Sequence, residues 1–207
     1  MNVYMFQKDL RIHDQPLLKR CLENGPTIGL FIIEPFQLEF TTYGFLKRGF
    51  KQRKFMHESL VDLKSRLAVY NIPLLTVIGD ITSIVHTLKT YITIEAIYYE
   101  TLLGSEEHAL YKKLNQLGIK TYTETFHSLY HIDDIPFHEN NIPKTFTSFR
   151  KTIETLDCIR KTVSIQPQDP LNISLPDWWM TEKDLSIEHI QSSYLGGETE
   201  ALHRVDY

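Results

Sequence analysis

Val3-Tyr4-Met5-Phe6-Gln7-Lys8-Asp9-Leu10-Arg11-Ile12-His13-Asp14-Gln15-Pro16-Leu17-Leu18 changes character twice. Its first four residues are apolar, with aromatic and β-branched members, as in a strand. From Gln15 to Leu22 the apolar positions fall at helical spacing, and Pro16 suits the first turn of a helix. Lys8, Asp9, Arg11, His13 and Asp14 crowd the loop between the two. In open α/β sheets ligands collect at that place, outside the carboxyl ends of the strands. On these residues alone two readings stay open. The loop is a ligand-facing edge, or its Asp and Arg side chains pair only to brace one another.

The same strand-then-helix alternation continues along the chain. Thr27–Ile33 is a continuous apolar run, as in a strand buried on both faces, and it ends at Glu34-Pro35-Phe36-Gln37. A long helix from about Gly49 to Tyr70 carries Met56, Leu60, Leu63, Leu67 and Tyr70 on one face. Further strands are predicted at Ile72–Ile78, Ile94–Tyr99 and Ile119–Thr123. Asp80 is the expected N-cap of a helix to Lys89. Ser105 is the expected cap of a helix through Leu117, with Glu106 and Glu107 in its first turn and Gly118 closing it. This order predicts an α/β fold: a Rossmann-like, open five-stranded parallel sheet with helices on both faces.

From His127 onward the alternation stops. Asp133–Phe137 reads as a turn and Phe146–Glu154 as a short helix. Residues 160–190 hold Pro167, Pro170 and Pro176 and no sustained period, which predicts a long irregular connector. Trp178 and Trp179 are its large apolar anchors. They are expected to dock on a domain or, left without a partner, to favour self-association. A helix starts again after Gly196-Gly197. The expected division is therefore a sheet domain at 1–127, a connector at 128–193, and the start of a helical domain at 194–207.

Composition narrows the function classes. The net charge of -4 hides an asymmetry: residues 1–66 carry eleven Lys/Arg against seven Asp/Glu. Lys47, Arg48, Lys51, Arg53 and Lys54 supply the excess and are expected to form one exposed helix face rather than a nucleic-acid patch. Two cysteines, Cys21 and Cys158, make no disulfide framework, and an intracellular, cytoplasmic and soluble protein is expected. No apolar run reaches the roughly twenty residues of a membrane span. No histidine pair has zinc-site spacing, so no metal is expected. There is no G-x-G-x-x-G after the first strand and no G-x-x-x-x-G-K-[ST], which removes the usual support for dinucleotide or P-loop chemistry.

Four segments carry a resemblance. Phe6–Leu17 resembles the opening signature of the DNA photolyase and cryptochrome family, roughly F-R-x-D-L-R-x-x-D-N-x-x-L, from which Gln7 and Gln15 depart. Arg53–Leu63 is similar to the family's R-x-x-F-L-x-E-S-L-x-D-L segment. Tyr130–Phe137, followed by Thr145–Lys151, resembles DASH-type cryptochromes in particular. Gly196-Gly197-Glu198 with Ala201, Leu202 and Arg204 is similar to G-G-E-x-x-A-L-x-R, which opens that family's helical half.

The resemblance implies a light-harvesting domain for a photolyase or DASH cryptochrome. The full protein would use blue or near-ultraviolet light and FAD to repair pyrimidine dimers or to sense light. FAD and DNA would be held by the helical domain, so no residue here is assigned a catalytic role. The implied antenna chromophore is methenyltetrahydrofolate, with a deazaflavin or FMN as the alternatives. Its expected contacts are Glu106 with Ser105, the neighbouring Glu100, Phe36 and Gln37, and Arg11. The competing reading is a stand-alone nucleotide-fold module that binds no chromophore and acts through protein contacts.

Overall fold

The computed structural model describes residues 1–126, 128–138, 140–156 and 159–205. Cys158 and His127, where the alternation was expected to stop, lie outside the described residues, as do Asp206 and Tyr207. Two compact units emerge: Met1–Thr123 with Val163–Tyr207, and Glu124–Thr162. The expected connector at 128–193 is thus divided, its second half packing with the sheet.

Five strands form one all-parallel sheet: β1 (Asn2–Phe6), β2 (Thr27–Ile33), β3 (Leu74–Ile78), β4 (Ala96–Glu100) and β5 (Lys120–Glu124). Their spatial order is β3-β2-β1-β4-β5. The helices between them are α1 (Pro16–Glu23), α2 (Phe50–Ala68), α3 (Ile81–Leu88) and α4 (Ser105–Gln116). β1 lies at the centre with every residue buried, which requires cover on both faces. Val3 and Met5 face one core with Ile28, Leu30, Ile97 and the apolar sides of α3 and α4. By strand alternation Tyr4 and Phe6 face the other side. Gly29 shares that face: a Cβ there would stand 3.0 Å from Leu74 Cδ1 and 3.1 Å from Phe6 Cε2, with Leu67 of α2 next to it. Leu60, Leu63 and Leu67 of α2 are buried, each contributing about 2 kcal/mol. Asp80 caps α3 as expected, accepting from the Thr82 and Ser83 amides at 3.0 and 3.3 Å.

Two expectations change, and one of two alternatives is the one seen. Ser105 does not cap α4. It is the first helical residue, and Gly104, with no side chain to offer, holds the cap position. Trp178 and Trp179 dock on the sheet unit, the first of the two outcomes expected for them. Trp178 packs on the α3/α4 core, and its carbonyl accepts the Thr76 amide at 2.9 Å. The Met180 amide donates to Thr76 Oγ1 at 2.8 Å, so the connector covers the free edge of β3. Trp179 lies against His57 and under the Lys64 ammonium. The basic cluster, finally, is no single exposed face. Arg53 is only 5% exposed and donates to the carbonyls of Arg48, Leu38 and Leu185. Lys54 pairs with Glu182 and Lys47 with Glu106.

The last helix, α6 (Glu198–Val205), docks on α2. Its entry is built for close approach: a Cβ at Gly196 would meet the Phe55 carbonyl oxygen at 2.0 Å. The Gly196 amide donates to Glu58, and Thr199 donates twice to Asp62. Glu198 is buried and accepts the amides of Ile12 and His13 at 2.9 and 3.0 Å, with Arg66 Nε 3.0 Å away. In the smaller unit, α5 (Phe146–Ile153) is capped by Thr145, and Arg160 holds Asp134 through two hydrogen bonds. No helix of the described residues is long and apolar enough to cross a membrane.

Candidate functional site

The chain runs outward from β1 through β2 to β3, then returns to β4 on the other side of β1. The loops after β1 and β4 therefore diverge, and a crevice opens between them at the carboxyl edge. A cleft fills that place, with about 600 Å³ of space when the part open to solvent is included. Its walls are the side chains of Phe6, Phe31, Phe36, Leu102 and Leu110, and its polar rim is Gln7, Lys8, Glu34, Gln37, Arg48, Glu106 and Glu107.

Each wall is delivered by a local device. Pro35 starts a single 3-10 turn, Pro35–Leu38, that presents Phe36 and Gln37 beyond β2. The chain then doubles back through a bridge between Phe40 and Leu46, with the Lys47 amide donating to the Glu39 carbonyl at 3.0 Å. Gly44 makes that reversal at φ +82, a conformation that favours glycine. Lys47 returns to lie 4.9 Å from the Phe36 ring centroid and pairs with Glu106. Across the mouth, Lys8 pairs with Glu107 at 2.7 Å, and this hydrogen bond holds the Glu107 carboxyl below its ordinary range. Lys113 bridges Glu34 and Asp80 at 2.5 and 2.8 Å.

Tyr111 organises the floor. Its hydroxyl donates to the Glu100 carbonyl at 2.9 Å and accepts the Leu102 amide at 2.8 Å and Gln7 Nε2 at 3.3 Å. Burial pushes this phenol up in pKa, so it stays neutral. Gln7 is thereby fixed, while its Oε1 is buried with no hydrogen-bond partner. A buried acceptor without a donor is costly, and a ligand N–H would satisfy it.

Of the residues singled out in the sequence, Glu106, Phe36 and Gln37 meet in this cleft. Ser105 is exposed on α4 and is not in its lining. Glu100 is buried at the end of β4, on the face opposite Tyr99, and outside the lining. Arg11 lines an adjoining groove and holds Asp9 at 2.9 Å. Asp9 also accepts Gln15 Nε2 at 2.8 Å, so the Asp–Arg brace of the opening loop is real. Asp14 takes no part in it; its carboxylate accepts the Val163 amide at 3.0 Å. Sequence reasoning missed Gln7, Glu34, Glu107 and Arg48 as members of the cleft. The one signal in reach was position: Gln7 and Glu34 each follow a buried strand directly.

Fold and cleft together define an open α/β domain with a crevice at the topological switch point. The chain belongs to the DNA photolyase family: the DNA photolyase family model matches residues 2–169. It is 29% identical over 216 residues to a cryptochrome DASH of Gloeobacter violaceus, covering 97% of this chain and 43% of that protein. The crystal structure of a Synechocystis sp. PCC6803 cryptochrome superposes with a TM-score of 0.82 at 27% identity, over 99% of this chain and 45% of the other. An archaeal photolyase from Sulfolobus tokodaii, described with two FAD molecules, gives a TM-score of 0.76 at 22% identity, over 100% and 46%. The chain spans less than half the length of these proteins and is homologous to the family's N-terminal domain, and it is DASH-like. The family works with flavin and folate- or deazaflavin-type chromophores, and with DNA.

Proposed function

We propose that this chain is the light-harvesting domain of a photolyase or DASH-type cryptochrome and that its cleft holds the antenna chromophore. Methenyltetrahydrofolate is the ring system we assign to it, with a deazaflavin or FMN as the alternative. When bound, such a chromophore supplies absorption of near-ultraviolet or blue light and transfer of excitation to a flavin. The full protein would use that excitation, through FAD, for repair of pyrimidine dimers or for photoreception.

One observation carries this reading: an apolar-walled cleft at the switch point, lined by Gln7, whose Oε1 is buried without a partner, and rimmed by Glu106. Phe36, Leu102 and Leu110 offer flat and branched apolar surface to a ring. Gln7 Oε1 offers an acceptor to a ring N–H, and the Glu106 carboxylate accepts from an amine at the rim. Tyr111 keeps Gln7 in place, and Lys47 keeps Glu106 over the mouth. The competing module without chromophore loses its cue, because Trp178 and Trp179 are docked.

Titration of the purified chain with methenyltetrahydrofolate, followed by absorbance and fluorescence, tests the reading. Saturable binding is expected at one site per chain. Glu106→Gln should weaken it about tenfold or more, the worth of a hydrogen bond to a charged acceptor. Absence of saturable binding by folate, deazaflavin and flavin alike contradicts it.

A further inference from the structure

The cleft does not end at the switch point. Gln7, Lys8, Phe31 and Arg48 also line an adjoining, wider groove that reaches Gln52 and Glu198. Arg48 stands at the junction, so a ligand filling both spaces passes its guanidinium.

The charges along this double cleft pair off with one exception. Glu34 is held by Lys113, Glu106 by Lys47, and Glu107 by Lys8. Asp9 is held by Arg11, and Glu198 by Arg66 and two amides. Each lining carboxylate thus has its cation, and Arg48 is left over. Among the described residues, the Arg48 guanidinium makes one hydrogen bond, from Nη1 to Met56 Sδ at 3.3 Å, and a thioether is a weak acceptor. The first turn of α2, which follows directly, carries no acid. Burial lowers the pKa of Arg48, and Glu106 and Glu107 oppose that only at a distance while engaged elsewhere. None of the guanidinium's donors is among the buried atoms without a partner, so they stand open to an anion entering the groove. Its planar fork matches a carboxylate or phosphate through two parallel hydrogen bonds.

We propose that Arg48 is a specificity-determining residue that binds the oxyanion tail, phosphate or carboxylate, of the ligand whose ring occupies the cleft. The proposal rests on the reading of the cleft as a ring-binding site. It adds what that reading leaves open: ligands with an anionic tail are selected over the same rings without one.

Paired probes test it on the whole chain. FMN against riboflavin varies only the phosphate, and methenyltetrahydrofolate against methenyltetrahydropteroyl amide replaces the glutamate carboxylates by a neutral carboxamide. The wild type should prefer the anionic member of one pair by roughly tenfold to a hundredfold, the range for hydrogen bonds to charged groups. Whichever pair shows the preference identifies the tail as phosphate or carboxylate. Arg48→Met should abolish the preference, losing more affinity for the anionic member than for the tailless one, with its urea midpoint checking that the variant is folded. Arg48→Lys should restore part of it, since the charge returns without the fork. Equal binding within both pairs overturns the proposal and leaves the cleft reading intact, as does an equal loss for both members in Arg48→Met. If no ring binds at all, the cleft reading fails, and inorganic pyrophosphate decides the matter. Thermal stabilisation of the wild type but not of Arg48→Met upholds the oxyanion site; equal or absent stabilisation overturns it.

Discussion

Replacing Glu198 by alanine probes how the segment after the connector is fastened to the sheet unit. The carboxylate is 8% exposed and accepts two backbone amides, Ile12 at 2.9 Å and His13 at 3.0 Å. Without it those two donors lose their acceptor, and the Ile12 amide sits where water scarcely reaches. An unsatisfied buried donor costs about 1–3 kcal/mol, and the partly exposed His13 amide falls at the low end. Arg66 Nε is 3.0 Å from the carboxylate but out of line for a hydrogen bond, and its side chain is about a quarter exposed, so that pair adds under about 1 kcal/mol. Relief of the buried carboxylate's desolvation offsets part of this, leaving about 3 kcal/mol. With a urea m-value of about 3 kcal/mol/M, the midpoint should fall by about 1 M. Trp178 and Trp179, both half-buried, report the transition by fluorescence. Hydrogen exchange should quicken at Ile12, His13 and through α6, and not in β1 or β2. A loss below about 0.5 kcal/mol with Ile12 and His13 still protected would refute the assignment, since surface substitutions alone reach that size.

Other substitutions test separate links. Gly196→Ala places a Cβ against the Phe55 carbonyl and should undock α6 at a cost of about 2 kcal/mol or more, read by the same urea titration. Gln168→Ala removes a clasp in which its side chain bonds both the amide and carbonyl of Thr27 and the carbonyl of Asn71. A loss of about 2 kcal/mol and faster exchange at Thr27 are expected. Cys21 is buried, and burial pushes its thiol up to about 12, so mass-mapped alkylation at pH 8 should label it only after unfolding. Because that pKa lies above the roughly 8.5 of an unfolded thiol, its stabilisation is complete below about pH 8.5 and declines as pH rises toward the folded value. Urea midpoints should fall between pH 8 and pH 10, less steeply in Cys21→Ala, with buried Tyr4 adding a slope of the same sign.

The sheet was legible because burial on both faces leaves a plain mark. Thr27–Ile33 admits hardly any polar residue, and the helices between strands announce themselves through Asp80 and the α2 leucines. The site was legible only where one loop follows one strand, as with Phe36, Gln37 and Glu106. Arg48 escaped because its place depends on the reversal at Gly44 and the bridge from Phe40 to Leu46, which bring position 48 back beside position 36. The charge-rich opening loop gave the converse difficulty. Its Asp9–Arg11 pair is a brace, as one reading held, while Gln7 and Lys8 beside it belong to the cleft. Asp14 and Glu198 reach partners more than a hundred residues away, and no local spacing encodes such contacts. The connector looked free because its own pattern is irregular. It is held by groups of the sheet unit, Thr76 and Asn71 among them.

The central claim is that the cleft between the carboxyl ends of β1, β2 and β4 is where the ligand sits. Hydrogen exchange of the chain saturated with methenyltetrahydrofolate, or with FMN if that binds more tightly, locates the contact directly. Added protection is predicted at residues 6–8, 34–37 and 101–107, with none along the β5 edge. Saturable binding that leaves those three segments unchanged, or protects a different surface, would contradict the account.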